Sequence, residues 1–229
     1  MPSRKVSDLR KIYMESIGLD SPSREETLEN QSRGTSDEDD PGKALDALYE
    51  AISDCHQCPL GDHRTNLVFG VGDPRADLVF VGEAPGRDED LQGEPFVGKA
   101  GQMLTRIIRA MGLERADVYI CNVNKCRPPG NRDPNPEEVE ACSPYLLKQL
   151  DIISPKVICA LGSFAARTLL MTETRISRLR GRFHTFNDVP LMPTYHPSFL
   201  LRNPQAKKEV WEDMQMIMEF MGLPGKQGD

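Results

Sequence analysis

Apolar residues recur along this chain in two rhythms, and the switching between them predicts most of its elements. Leu67–Val71 and Leu78–Val81 are short runs of Leu, Val and Phe that read as buried strands, with Asp73-Pro74-Arg75 as a turn between them. Met103, Leu104, Ile107, Ile108 and Met111 share one face of a helix over 102–111. Val118–Val123 predicts the next strand. Pro136 followed by Glu137 and Glu138 marks a helix start, with proline at the first position and acids in the first turn. Val157–Leu161 reads as strand, Ser163–Met171 as helix, Val189–Thr194 as strand and Lys207–Met221 as a closing helix. Such alternation predicts an α/β fold: a mainly parallel sheet with helices on both faces. Ligands of such sheets bind at the carboxyl ends of the strands.

The rhythm is weaker at the start. Val6, Leu9, Ile12 and Tyr13 allow a short helix over 5–18, and 20–42 is rich in Ser, Glu, Asp, Gly and Pro, the composition of a tether. Leu45, Leu48 and Ile52 restore helical spacing over 43–53. The expected organisation is a flexible polar extension over 1–42, one folded domain over 43–223 and a tail over 224–229. There is no internal repeat.

The chain has 229 residues, and no run approaches the roughly 18 apolar residues of a membrane span. The opening Met1-Pro2-Ser3-Arg4-Lys5 lacks the apolar stretch of a secretory signal. A cytoplasmic protein without a membrane partner is expected, and its six cysteines are then thiols or metal ligands rather than a disulfide framework. The net charge of −7 argues against a nucleic-acid partner until its distribution is examined. Residues 151–208 hold 9 basic and 3 acidic side chains, and Arg175, Arg178, Arg180 and Arg182 follow one another with no acid between. That stretch is either a solvated face or a phosphate-binding patch, because nucleic-acid affinity depends on local Lys and Arg.

Four unusual sequences follow four predicted strands: Gly82-Glu83-Ala84-Pro85-Gly86, Asn122-Val123-Asn124-Lys125-Cys126, Gly162-Ser163 and His196-Pro197-Ser198. Each alone has a bland reading, as a loop carboxylate, a turn cap or a surface histidine. Together they bring a carboxylate, an amide, a hydroxyl and an imidazole to one edge of one sheet. Gly82-x3-Gly86 lacks both the Lys-Ser/Thr of a P-loop and the spacing of a dinucleotide fingerprint, which excludes nucleotide binding on that motif. Cys55-x2-Cys58 is a ligand pair for a metal centre. Cys126 and Cys142, with 15 residues between them, flank the loop Arg127–Pro136 with its four prolines. This arrangement fits a zinc ribbon poorly, although spacing alone does not exclude zinc. Cys121 and Cys159 fall inside apolar strands and read as core thiols.

These motifs, with Glu89-Asp90, Gly93-Glu94-Pro95-Phe96-Val97-Gly98-Lys99-Ala100-Gly101, Cys126-Arg127-Pro128-Pro129, Ala160-Leu161-Gly162 and His196-Pro197-Ser198-x-Leu200-Leu201-Arg202-Asn203-Pro204, resemble the family 4 uracil-DNA glycosylases. The match runs from about Asp54 to the end of the closing helix and leaves the first 45 residues outside it. The resemblance implies a three-layer α/β/α fold and a 4Fe-4S cluster on Cys55, Cys58, Cys126 and Cys142. It implies hydrolysis of the bond between uracil and deoxyribose. Glu83 falls at the catalytic acidic position, His196 at the leaving-group histidine, Phe96 at the base-stacking position and Asn122 at the base-reading amide. Gly82, Ala84, Glu89 and Ser198 complete the substrate-binding set, and Arg178, Arg180, Arg182 and Arg202 are candidates for DNA contact. The implied partner is uracil-containing DNA, single- or double-stranded, met by a monomer beside a prokaryotic nucleoid. Superfamily relatives that trap DNA covalently carry a nucleophilic histidine in a basic loop after the strand of Asn122. Here Arg127–Pro136 holds none, so turnover is expected. Two other activities fit the same shell: excision of other deaminated bases such as hypoxanthine or xanthine, and DNA binding without catalysis.

Overall fold

A computed structural model describes residues 40–224. The helix expected over 5–18, nearly all of the tether and most of the 224–229 tail lie outside the described residues. The elements in chain order are α1 (Pro41–Ile52), β1 (Val71–Gly72), β2 (Leu78–Gly82), α2 (Arg87–Gln92), α3 (Lys99–Ala110) and β3 (Tyr119–Asn122). They continue with α4 (Pro136–Ile153), β4 (Val157–Leu161), α5 (Gly162–Leu170), α6 (Ile176–Leu179), β5 (His184–Phe186), β6 (Val189–Thr194), α7 (Pro197–Arg202) and α8 (Lys207–Met221). Helix α1 begins two residues before the expected boundary, because Asp40 caps it by accepting from the Gly42 N–H and Pro41 suits the first turn.

One six-stranded sheet has the order β1-β3-β2-β4-β6-β5. The four central strands are parallel, and an antiparallel strand closes each edge. Alternate side chains of β2 show how the layers form, since successive residues point to opposite faces. Val79 and Val81 pack with Leu48 of α1, Leu146 and Leu150 of α4 and Ala165 of α5. Leu78 and Phe80 pack with Leu104 and Ile108 of α3 and with Val210, Met214 and Ile217 of α8. The result is the three-layer α/β/α sandwich, with a mixed sheet.

The predicted strand Leu67–Val71 contributes only its last residue to the sheet. Gly70 and Gly72 have φ of 156° and 132°, and a Cβ on Gly70 would lie 2.7 Å from the Tyr119 hydroxyl. The chain therefore enters the sheet late. Register decides the chemistry: Gly82 lies opposite Asn122, and Leu161 opposite Thr194. The loops leaving β2, β3, β4 and β6 consequently emerge side by side.

Candidate active site

Those four loops open into one cleft of about 1430 Å³, lined among others by Glu83, Ala84, Asn122, Ser163, Ser198, His196 and Phe96. The carboxylate, amide, hydroxyl and imidazole read from the sequence thus share a wall. Pairing continues past the strands, with Val123 N–H donating to Gly82 O (2.9 Å) and Asn124 N–H to Glu83 O (3.0 Å), so Glu83 and Asn122 stand beside each other. Gly82 itself lies behind the wall. A Cβ there would sit 2.3 Å from Asn122 Oδ1 and 2.6 Å from Phe96 Cζ, so only glycine leaves room for both.

Asn122 is 2% exposed, and its buried Oδ1 has no hydrogen-bond partner. A buried polar atom left unpaired is costly, and in a cleft wall it marks a place for a ligand's donor. Its backbone is held firmly. Lys125 Nζ, itself buried, donates to Asn122 O at 2.7 Å and to Gln149 Oε1. The sequence motif contains Lys125 but gave no reason for it.

His196 precedes α7 and caps it: its Nδ1 accepts from the Ser198 N–H (3.2 Å) and stands 2.7 Å from Ser198 Oγ. A backbone N–H can only donate, so Nδ1 is unprotonated and the imidazole proton sits on Nε2. Burial lowers the His196 pKa to about 4, so the ring is neutral at pH 7. Gly162 (φ 93°) makes space for it, since a Cβ there would lie 2.9 Å from His196 Cβ. Ser198 lines the cleft, yet both of its polar groups at hand are turned to the histidine, which makes it an orienting residue. Glu83 is shifted the opposite way. Burial, and then the charge of Asp133 on the facing loop, raise its pKa to about 7.

Phe96 is 7% exposed, with its ring centroid 5.6 Å from that of His196 and tilted by 36°. Its φ of 55° is a left-handed conformation, which costs a bulky residue on the order of 1–3 kcal/mol. Glu89, assigned to substrate from the sequence, does line the cleft, and its carboxylate also gathers backbone N–H groups of the cleft's own loops. Its Oε2 accepts from Gly86 N–H (3.1 Å), and its Oε1 accepts from Val97 N–H (3.0 Å) and Gly98 N–H (2.9 Å). It fastens the Pro85-Gly86 turn to the Phe96 loop.

Cys55, Cys58, Cys126 and Cys142 line a second, small cavity together with Lys125 and Tyr145. Among the described residues, no three His, Cys, Asp or Glu side chains are grouped closely enough for a single metal ion. An iron–sulfur cluster spreads its ligands further, because each thiolate bonds a different iron. Burial raises the Cys126 and Cys142 thiol pKa values, the latter to about 12, while hydrogen-bonding groups stand at three of the sulfurs. Lys125 N–H donates to Cys142 Sγ (3.2 Å), Arg64 Nη1 to Cys126 Sγ (3.5 Å), and the Tyr145 hydroxyl lies 3.7 Å from Cys55 Sγ. Cys121 and Cys159 are buried in β3 and β4, and burial raises both thiol pKa values.

The arginines separate. Arg202 lines the cleft, while Arg178 and Arg182 are exposed and do not line it. Arg180 is turned inward, which removes it from the DNA-contact set. Its Nε and Nη2 donate to Asp213 at 3.0 and 2.8 Å, Nη1 reaches Glu209, and the guanidinium lies over Tyr195. Arg132 and Arg167, absent from the sequence reading, line the cleft, paired with Glu138 and Glu173 respectively.

A mixed α/β/α sandwich with this cleft at its strand ends defines a class: the model of the uracil DNA glycosylase superfamily matches residues 69–215. The type-4 uracil-DNA glycosylase of Archaeoglobus fulgidus is 48% identical over 188 residues, 79% of this chain and 94% of that protein. That of Sulfurisphaera tokodaii is 44% identical, over 79% of this chain and 86% of its own. That of Thermotoga maritima is also 44% identical, over 79% and 96%. The chain belongs to the type-4 uracil-DNA glycosylases of this superfamily.

Proposed function

We propose that this enzyme excises uracil from DNA by hydrolysing the N-glycosidic bond, leaving an abasic site. The observation that carries the reading is the unpartnered Oδ1 of Asn122 in the wall shared by Glu83, Phe96 and His196. A base inside a duplex is out of reach, so the nucleotide is flipped into the cleft. Phe96 offers its ring face to the base, a contact worth about 1–3 kcal/mol. Asn122 Oδ1 accepts from uracil N3–H, and its Nδ2 donates to O4. Cytosine reverses that pattern and leaves both groups mismatched.

Cleavage leaves positive charge on the sugar and negative charge on uracil. His196 Nε2–H, aimed by Ser198 at Nδ1, donates to O2 of the departing anion without becoming charged itself. Glu83, as the carboxylate, orients the attacking water and offsets the charge on the sugar. The water oxygen bonds C1′, the C1′–N1 pair leaves with uracil, and the water's proton is released.

Cys55, Cys58, Cys126 and Cys142 would hold the 4Fe-4S cluster, which supplies a structural cross-link between the chain segments at residues 55–58, 126 and 142. Arg178, Arg182 and Arg202 would meet phosphates. The glycosylase domain is residues 43–223, acting as a monomer on the DNA of the cytoplasm. Among the described residues, no helix is long and apolar enough to cross a membrane.

The test is base release from labelled strands carrying uracil, cytosine, thymine or hypoxanthine at one position. Free uracil and an alkali-labile site are expected from the first strand alone. Release of hypoxanthine at a matching rate, or of nothing from DNA that binds, would overturn the reading.

A further inference from the structure

Phe96 adopts a backbone conformation that a large side chain does not hold unaided, and two side chains of opposite charge restrain it. Glu89 takes the N–H groups of Val97 and Gly98 on one side. On the other side is Arg115, which opens the single turn Arg115–Asp117 between α3 and β3. Arg115 Nη2 donates to Pro95 O at 2.9 Å and Nη1 to Phe96 O at 3.2 Å. The same guanidinium reaches Glu94 Oε1 at 3.3 Å and Thr105 Oγ1, on α3, at 3.5 Å. The Phe96 carbonyl is confined from a third direction, because a Cβ on Gly101 would lie 1.8 Å from its oxygen.

Two consecutive carbonyls need two donors at a fixed separation. A planar guanidinium provides them, whereas an ammonium serves one well. Arg115 itself does not line the cleft, so it meets neither the base nor the sugar. We infer that Arg115 is a positioning residue for base capture: it holds the Phe96 ring in the plane where an extruded uracil stacks. The inference rests on the stacking role of Phe96 given above.

The experiment compares two DNA ligands that differ in the presence of a base. One carries 2′-fluoro-2′-deoxyuridine, whose fluorine suppresses cleavage, and the other a tetrahydrofuran abasic analogue at the same position. Arg115→Met should weaken binding of the fluorouridine strand about five- to tenfold and of the abasic strand less than twofold. Arg115→Lys should fall between Met and wild type on the fluorouridine strand alone. In a Phe96→Ala background, the added effect of Arg115→Met should vanish. A merely structural role would weaken both ligands alike, and that result, or no change in either, overturns the inference. Should Arg115→Met not fold, Arg115→Lys carries the same comparison, with about threefold selective loss expected. Phe96→Ala separates the two layers: if it leaves fluorouridine binding intact, the stacking role fails and the inference with it. If it weakens that binding while the Arg115 variants do not, the inference alone fails.

Discussion

Two buried polar groups lie near the carboxyl edge of the same sheet and have opposite fates. Asp213, fully buried, accepts from Arg180 twice, from the Thr194 hydroxyl at 2.6 Å and from the Gly181 N–H at 3.0 Å. Asn122, almost as deeply buried, leaves Oδ1 without a partner. The first arrangement spends its polar groups on one another and ties α8 and the 180–181 turn to the end of β6. The second keeps capacity in reserve for a ligand. Burial does not tell the two apart; Asn122 differs in combining an unpartnered oxygen with a place in the cleft wall.

Breaking the satisfied pair should give the largest effect. Arg180→Met would leave Asp213 buried without its main cation, and losing one partner of such a pair costs about 3–5 kcal/mol. Urea unfolding should show that loss. Uracil excision by the protein that remains folded should stay near wild type.

His196→Ala belongs to the reserved side. It should lower the single-turnover rate on uracil by on the order of 100–1,000-fold, about 2.7–4 kcal/mol. It should not open the cleft to cytosine, because it removes support for the leaving anion and not the group that reads the base. Cytosine release in that variant would show that the roles of Asn122 and His196 are exchanged.

Glu83 should set the pH dependence. Burial raises its pKa to about 7, and the reaction needs the carboxylate. Single-turnover rates should fall about tenfold per pH unit below that point and level off above it. His196, with its pKa near 4, stays neutral across this range and contributes no second limb there. Glu83→Gln should be slow and flat from pH 5 to 8.

The smallest effect is expected where the arginine run faces water. Replacing Arg178 and Arg182 by Ala should weaken DNA binding modestly and reduce its salt slope, by about 0.9 for each phosphate no longer neutralised. Base preference should not move. Binding unchanged at low salt would leave the pair as a solvated face.

The same run shows where sequence reading stops. Four arginines without an intervening acid looked uniform, yet Leu179 is buried and the chain turns so that Arg180 follows it inward while Arg178 and Arg182 do not. Its partner Asp213 lies 33 residues away, beyond any local pattern. Glu89 shows a related limit: its place at the cleft is legible from the motif, but the backbone N–H groups that its carboxylate collects are not until the loop is folded. The central strands were legible because each is a continuous apolar run, and β4, β6 and α8 begin and end where periodicity puts them. Strand β5 was not, because His184-Thr185-Phe186 is short and none of its residues is fully buried. The convergence of Glu83, Asn122, Ser163 and His196 needed only the rule that parallel strands end together.

The most direct test of the contrast between reserved and satisfied groups is one preparation of Asn122→Ala, measured for both unfolding free energy and single-turnover uracil release. Removing an amide whose Oδ1 has no partner should leave stability within about 0.5 kcal/mol of wild type, as for substitutions that break no network. The rate on uracil should fall by on the order of 100–1,000-fold. A wild-type rate, or a stability loss of several kcal/mol like that expected for Arg180→Met, would contradict it.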